Sequence, residues 1–225
     1  MKAKTLGAKI LIYMLGLLVM AFGIAFSIRS NLGISPVSSL PFAVSHVTGI
    51  STGTFVTLFF VVYIVLQIAM LRRRYKWINL TQILVSVVFG YFVDFAMVLT
   101  EGLMLPTYLG QLLMLAISIY LISFGLVLYV EARLIVLPPE GLVLTVTELI
   151  RGGTFSKVKI AFDCLLVALA IIVTFVFSGS VYGVREGTVL SALLIGKLVP
   201  FNNRIVGSVL GKTGYYRLTK KIGNL

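Results

Sequence analysis

A chain of 225 residues that is 59% hydrophobic and only 12% charged, with a mean hydropathy of +1.09, carries more apolar surface than a soluble core can hide, so its solvent is a lipid bilayer. The net charge of +12 lies in short clusters between apolar runs, a pattern that the positive-inside rule explains and that excludes nucleic acid as the expected partner. One cysteine and one histidine exclude an intramolecular disulfide and a clustered metal site, and no GxxxxGK[ST] loop or HExxH is present, so no cofactor and no enzymatic activity are expected.

The first apolar run, 8–28, starts beside Lys2, Lys4 and Lys9 and is long enough to span. It is followed by NLGISPVSSLPFAVSHVTGISTG, residues 31–53, which is too polar to cross a bilayer and too apolar for an ordinary loop. Its middle, from Ile34 to Val47, has the length of a re-entrant or interfacial half helix. Ser35 stands where an N-cap belongs, Pro36 suits a first helical turn, and Gly49 and Gly53 are placed to end the segment.

Runs 54–71 and 78–99 follow, joined through Arg72, Arg73, Arg74 and Lys76, with Asp94 near the outer end of the second. Run 108–130 leads into a second interrupted stretch, LIVLPPEGLVLTVTELIRGGT at 134–154, in which Glu140 falls in the first turn after Pro138 and Pro139, and Gly152 and Gly153 close it. Run 158–178 contains Asp163 near its inner end and Cys164, read as a small buried hydrophobe. The last run, 188–204, is interrupted by Lys197, Pro200, Asn202 and Asn203. A basic tail, 204–225, with Tyr215 and Tyr216 among lysines and arginines, suits the anionic inner leaflet.

Placing the N-terminus inside puts all the basic clusters in the cytoplasm and leaves only Arg29 and Arg185 outside, so both termini are expected to be cytoplasmic. A shift of 102 residues superposes Phe22 on Phe124, Gly23 on Gly125, Pro36 on Pro138 and Phe60 on Phe162. After a short insertion, Gly90 falls on Gly196 and Phe95 on Phe201. The first run therefore belongs to the fold rather than to a cleaved signal. Each unit reads span, broken segment, span, span, and three spans is an odd number, so the second unit enters from the opposite side. The expected fold is an all-α polytopic membrane protein, a single membrane domain over 1–203, with six transmembrane helices in two inverted three-helix repeats, 6–99 and 108–203.

Irregular backbone at membrane depth needs protein or a watery cavity to satisfy it, and paired interruptions in opposed repeats point to a site near the midplane. The other reading of both segments is that they lie flat at the interface.

The stretches LGISPVSSLPFAVSHVTGISTG, VLPPEGLV, GTVLSALLIGKLVPF and FGYFVDF resemble the bacterial YczE/YyaS/YitT group of integral membrane proteins, over most of residues 6–203. The resemblance implies a multispan protein of the bacterial cytoplasmic membrane, of a group often called permeases, with no substrate to carry across. It is nearer the short YczE branch, since the YitT branch adds a soluble region that this chain lacks.

The candidate solute-binding residues are Ser35, Ser38, Ser39, Ser45, His46 and Glu140, and the candidates for coupling to a proton or sodium ion are Glu140, Asp94 and Asp163. Two functions are expected. One is a secondary transporter for an unidentified small solute, anionic or zwitterionic because half-helix N-termini favour negative charge. The other is a non-transporting scaffold for a partner complex or biosynthetic assembly. Assembly into a homo-oligomer stays open.

Overall fold

The computed structural model describes residues 3–150 and 154–212, and among them there are helices and turns but no strand. Eight α-helices follow in order: α1 Ala3–Ser30, α2 Pro36–Thr48, α3 Thr52–Leu71, α4 Thr81–Leu99, α5 Tyr108–Glu131, α6 Pro138–Leu149, α7 Phe155–Ser178 and α8 Glu186–Lys212. Six of them, all but α2 and α6, are long and apolar enough to span a bilayer. Helix is what such sequences must form, because in lipid every backbone donor and acceptor has to be paired inside the segment. Leu84, Leu109, Val176 and Phe177 lie exposed on outer faces, where acyl chains are their solvent.

The ends of the helices follow local chemistry. Ser51 caps α3 by accepting from Thr54 N at 3.2 Å, and Thr107 caps α5 by accepting from Gly110 N at 3.2 Å. Gly49 ends α2 in the left-handed conformation, φ 73°, with its N–H on Ser45 O. Gly53, by contrast, does not end the broken segment. It sits in the first turn of α3, where a side chain would collide with the Gly90 carbonyl of α4. Gly152 and Gly153 lie outside the described residues, and α6 ends with Ile150 in extended conformation. Helix α8 runs on to Lys212, past the expected start of the tail at 204, and the tail beyond it lies outside the described residues. Its apparent interruption is a helix contact: Asn202 is fully buried and donates from Nδ2 to Ser123 Oγ of α5 at 3.0 Å. Cys164 is exposed on α7, not buried, because its face of the helix looks outward.

Helices α1 and α5 form the centre. In their most apolar stretches 50% and 56% of residues are buried, against 17% in α7 and in α8. They pack closely through Gly16, Gly23 and Gly125, and Leu17, Ala21, Ile24 and Tyr129 fill the core around them. Around this pair, α2 packs on α7 and α6 on α3, α1 on α4 and α5 on α8. Exchanging α1 with α5, α2 with α6, α3 with α7 and α4 with α8 converts each of these pairings into another. The largest departure from this exchange is that α3 and α4 pack tightly, whereas α7 and α8 form no comparable contact.

Asp94 holds the α3–α4 pair at one end, its Oδ1 accepting from Gly53 N at 2.7 Å and its Oδ2 from Ser51 Oγ at 2.7 Å. It thus serves the start of α3 as a cap from a neighbouring helix. Asp94→Ala is expected to cost about 1 to 2 kcal/mol, the range of a lost N-cap. Unfolding of the purified protein in detergent measures it, and an unchanged midpoint would remove the capping role.

Candidate functional site

Proline fixes the geometry at the two short helices. The residue before a proline is driven to extended backbone, and both Ser35 (ψ 143°) and Leu137 (ψ 149°) adopt it, so the chain arrives straight and turns abruptly into helix. In the first, Asn31 (φ 54°) and Gly33 (φ 126°) make the turn from α1, and Ile34 N then donates to Gly183 O at 2.9 Å. Ser35 occupies the N-cap position without capping. Its hydroxyl reaches Ser38 Oγ at 3.3 Å instead of a backbone N–H.

Both N-termini open onto one cavity of about 650 Å³, to which all eight helices contribute side chains. Most of the wall is apolar, with Met20, Ile24, Phe60, Phe89, Ile122 and Leu126 among its residues. Phe60 and Phe89 stack at 5.8 Å with planes 7° apart. The polar part consists of Ser35 and Ser38 from the α2 end, Glu140 from the α6 end, Tyr129 of α5, Ser191 of α8, and Lys159 and Asp163 of α7.

Lys159 Nζ donates to Asp163 Oδ1 at 2.5 Å, an i, i+4 pair with side chains 24% and 18% exposed. Glu140 has no such ion-pair partner: its Oε2 and the hydroxyls of Tyr129 and Ser191 are buried without a well-formed hydrogen bond, although the Tyr129 hydroxyl, backbone N–H and, at longer range, Lys159 favour its charged form. The groups that act electrostatically on Glu140 are Lys159, Asp163 and Tyr129. Tyr13 stands edge-on to Tyr129 at 6.0 Å and donates to Ile135 O at 3.1 Å, fixing the approach to α6. Gln67, 2% exposed in the middle of the bundle, donates from Nε2 to Pro138 O at 3.2 Å and so ties α3 to the start of α6.

Of the residues expected to bind solute or ion, the fold gathers Ser35, Ser38, Glu140 and Asp163 at the cavity. Ser39 is turned to its own helix, donating to Pro36 O at 2.7 Å. Ser45 lies at the other end of α2, where it donates to Ile50 O at 2.6 Å and meets Thr52 Oγ1 at 3.2 Å. His46 packs against Tyr182 in the α7–α8 connection, ring centroids 4.3 Å apart, and Asp94 serves the start of α3. Tyr129, Lys159 and Gln67 were not among the expected residues. The i, i+4 spacing of Lys159 and Asp163 inside an apolar run was a readable signal, as was a lone amide in a span. Nothing in the sequence marks Tyr129.

A second cavity, about 780 Å³, lies between α3, α6 and α7, and its wall is apolar except for Tyr63 and Lys157. It holds no carboxylate and is not shared by the N-termini of α2 and α6.

Six apolar spans that enclose two short helices, whose N-termini share a charged cavity, define an all-helical polytopic membrane protein with an internal candidate site. The chain belongs to a family of unknown function (DUF6198), whose model matches residues 7–204. It is similar to two proteins of Bacillus subtilis (strain 168). With the uncharacterized protein YyaS it shares 27% identity over 193 residues, 85% of this chain and 90% of that one. With the uncharacterized membrane protein YczE it shares 26% over 193 residues, 84% of this chain and 83% of that one. No solved structure matches the chain.

Proposed function

We propose that the protein is a secondary transporter of the bacterial cytoplasmic membrane, with both termini in the cytoplasm, carrying a small solute through the cavity between α2 and α6 and catalysing no covalent chemistry. One observation carries this reading: two short helices, far apart in sequence, point their N-termini into the same cavity, one bringing the Ser35 and Ser38 hydroxyls and the other the Glu140 carboxylate. Discontinuous helices that meet at an internal cavity are how transporters present backbone dipoles to a solute at membrane depth. The reciprocal pairing of α2 with α7 and α6 with α3 supports two related halves that rock about the site. Glu140 is the coupling group in this reading, because it is the carboxylate left unpaired.

Alternating exposure of the cavity is the test. In a Cys164→Ala background, Ser38→Cys is expected to react with a membrane-impermeant maleimide from either side of inverted and right-side-out vesicles, since Ser38 lines the cavity. Labelling from neither side, or from one side only, would defeat transport and favour the scaffold. Orientation is checked with the same reagent at exposed loop positions. Cysteine at Glu101 or Ser180 should label from outside and at Arg73 from inside, and the reverse would invert the topology.

A further inference from the structure

The charges around the cavity do not balance, and the imbalance specifies the solute. Among the described residues that line it, the acids and bases are Glu140, Asp163 and Lys159, two carboxylates and one ammonium. Lys159 is engaged by Asp163 at 2.5 Å. What remains is the carboxylate of Glu140, its Oε2 buried without a partner. An anionic solute would need the positive end of a half helix or a free ammonium. The end of α6 already holds Glu140 in its first turn, and the ammonium is taken. The uncapped N-terminus of α2 is therefore the one positive end left, a partial charge set against the full charge of Glu140.

A buried carboxylate without a counter-charge is costly in an apolar enclosure, and a cation relieves that cost. The rest of the enclosure suits a cation with an apolar body. Phe60, Phe89, Tyr129 and Phe155 line the cavity, and aromatic faces attract a desolvated cation. The Ser35 and Ser38 hydroxyls at the opposite end bear no charge that would repel one. The volume, about 650 Å³, lies within the range of small-molecule sites.

We propose that the cavity takes a monovalent, lipophilic organic cation, its charge held at Glu140 and its body by the aromatic and aliphatic wall. This rests on the reading of the cavity as the solute site, and replaces the anionic or zwitterionic solute expected from helix dipoles alone. Proton and cation compete for the same carboxylate: when Glu140 binds a proton the counter-charge is gone and the cation leaves. The other titratable groups facing Glu140 are Tyr13 of α1, Tyr129 of α5, and Lys159 and Asp163 of α7. The tyrosines stay neutral across the neutral range, and Lys159 and Asp163 neutralise each other, which leaves Glu140 to set the competition.

The experiment uses two probes of the same shape and opposite charge, tetraphenylphosphonium and tetraphenylborate, in equilibrium binding to the purified full-length protein. The phosphonium is expected to bind and the borate not. Glu140→Gln is expected to weaken the phosphonium by about tenfold or more, while Glu140→Asp retains it. Wild-type binding should fall as the pH is lowered, because burial raises the Glu140 carboxyl above its ordinary range and a proton then displaces the cation. Monodisperse elution and an unaltered melting temperature establish that each variant is folded.

Preferential binding of the borate would overturn the sign of the charge and leave the cavity as a solute site. Binding of the phosphonium unaffected by Glu140→Gln or by pH would overturn the role of Glu140, and binding of neither probe would overturn the proposal. The transport reading is decided separately by the Ser38→Cys labelling, so the two can fail independently.

Discussion

Gly125→Leu is expected to keep the protein from accumulating in folded form. A Cβ at Gly125 would lie 2.6 Å from both Gly16 O and Met20 N, and one at Gly16 would lie 2.6 Å from Tyr129 N. Gly23 is in the same position against Ile122 N, at 2.8 Å. These neighbours are backbone atoms of the facing helix, so no rotamer change relieves the clash and α1 and α5 have to separate. Because this pair is the centre of the bundle, separating it loosens the core on every side. Overpacking a core costs about 1 to 3 kcal/mol when side chains can adjust, and Gly125→Leu should exceed that range. Gly125→Ala should fall near its top. Gly196→Ala is the control, since nothing lies within 4 Å of a Cβ there, and a helical glycine replaced by alanine gains up to about 1 kcal/mol. Yield of monodisperse protein and the unfolding midpoint in detergent measure all three. A Gly125→Leu protein as stable as Gly196→Ala would mean that the α1–α5 contact is not the keystone.

Lys159→Met is expected to destabilise the protein more than removal of the whole ion pair. Without the ammonium, Asp163 joins Glu140 as a carboxylate with no counter-charge. For fully buried pairs the loss of one partner costs about 3 to 5 kcal/mol. With side chains 24% and 18% exposed to the cavity, about 2 to 3 kcal/mol is expected here. The double variant Lys159→Met, Asp163→Leu should recover most of that, because an apolar pair suits the surrounding wall and strands no charge. A double-mutant cycle on the unfolding midpoint supplies the coupling between the two residues. Equal stability of Lys159→Met and the double variant would mean that Asp163 does not feel the loss of its partner.

The spans were legible because composition leaves so little choice: a run such as 108–130 has to be a helix in lipid, and α5 covers Tyr108–Glu131. The short helices were legible through their prolines, which set extended backbone at Ser35 and Leu137 and helix immediately after. Glycine was harder, since the same residue type ends one helix at Gly49 and admits a neighbouring backbone at Gly53. Only the three-dimensional neighbour, here the Gly90 carbonyl, separates those roles. The serines of α2 illustrate the same limit. Ser35, Ser38, Ser39 and Ser45 are alike in sequence, yet a helix turns them through different directions, and only the first two reach the cavity. The pairing of Asp94 with the start of α3 spans 41 residues of chain and leaves no local pattern. Asn202 looked like a break in a span because its partner, Ser123, belongs to another helix.

The lack of a close α7–α8 contact bears on how the proposed solute would reach the cavity. Both helices line it, through Phe155, Lys159 and Asp163 on one and Ala192, Ile195 and Gly196 on the other, and they do not seal against each other as α3 and α4 do. A molecule dissolved among the acyl chains therefore meets a seam there rather than a wall. If the proposed organic cation is the solute, loading through that seam would follow its concentration in the leaflet, not in water. Across a homologous series, each added methylene would then speed loading through its partition into the bilayer, by about 0.8 kcal/mol of transfer free energy, even where the fit inside is unchanged.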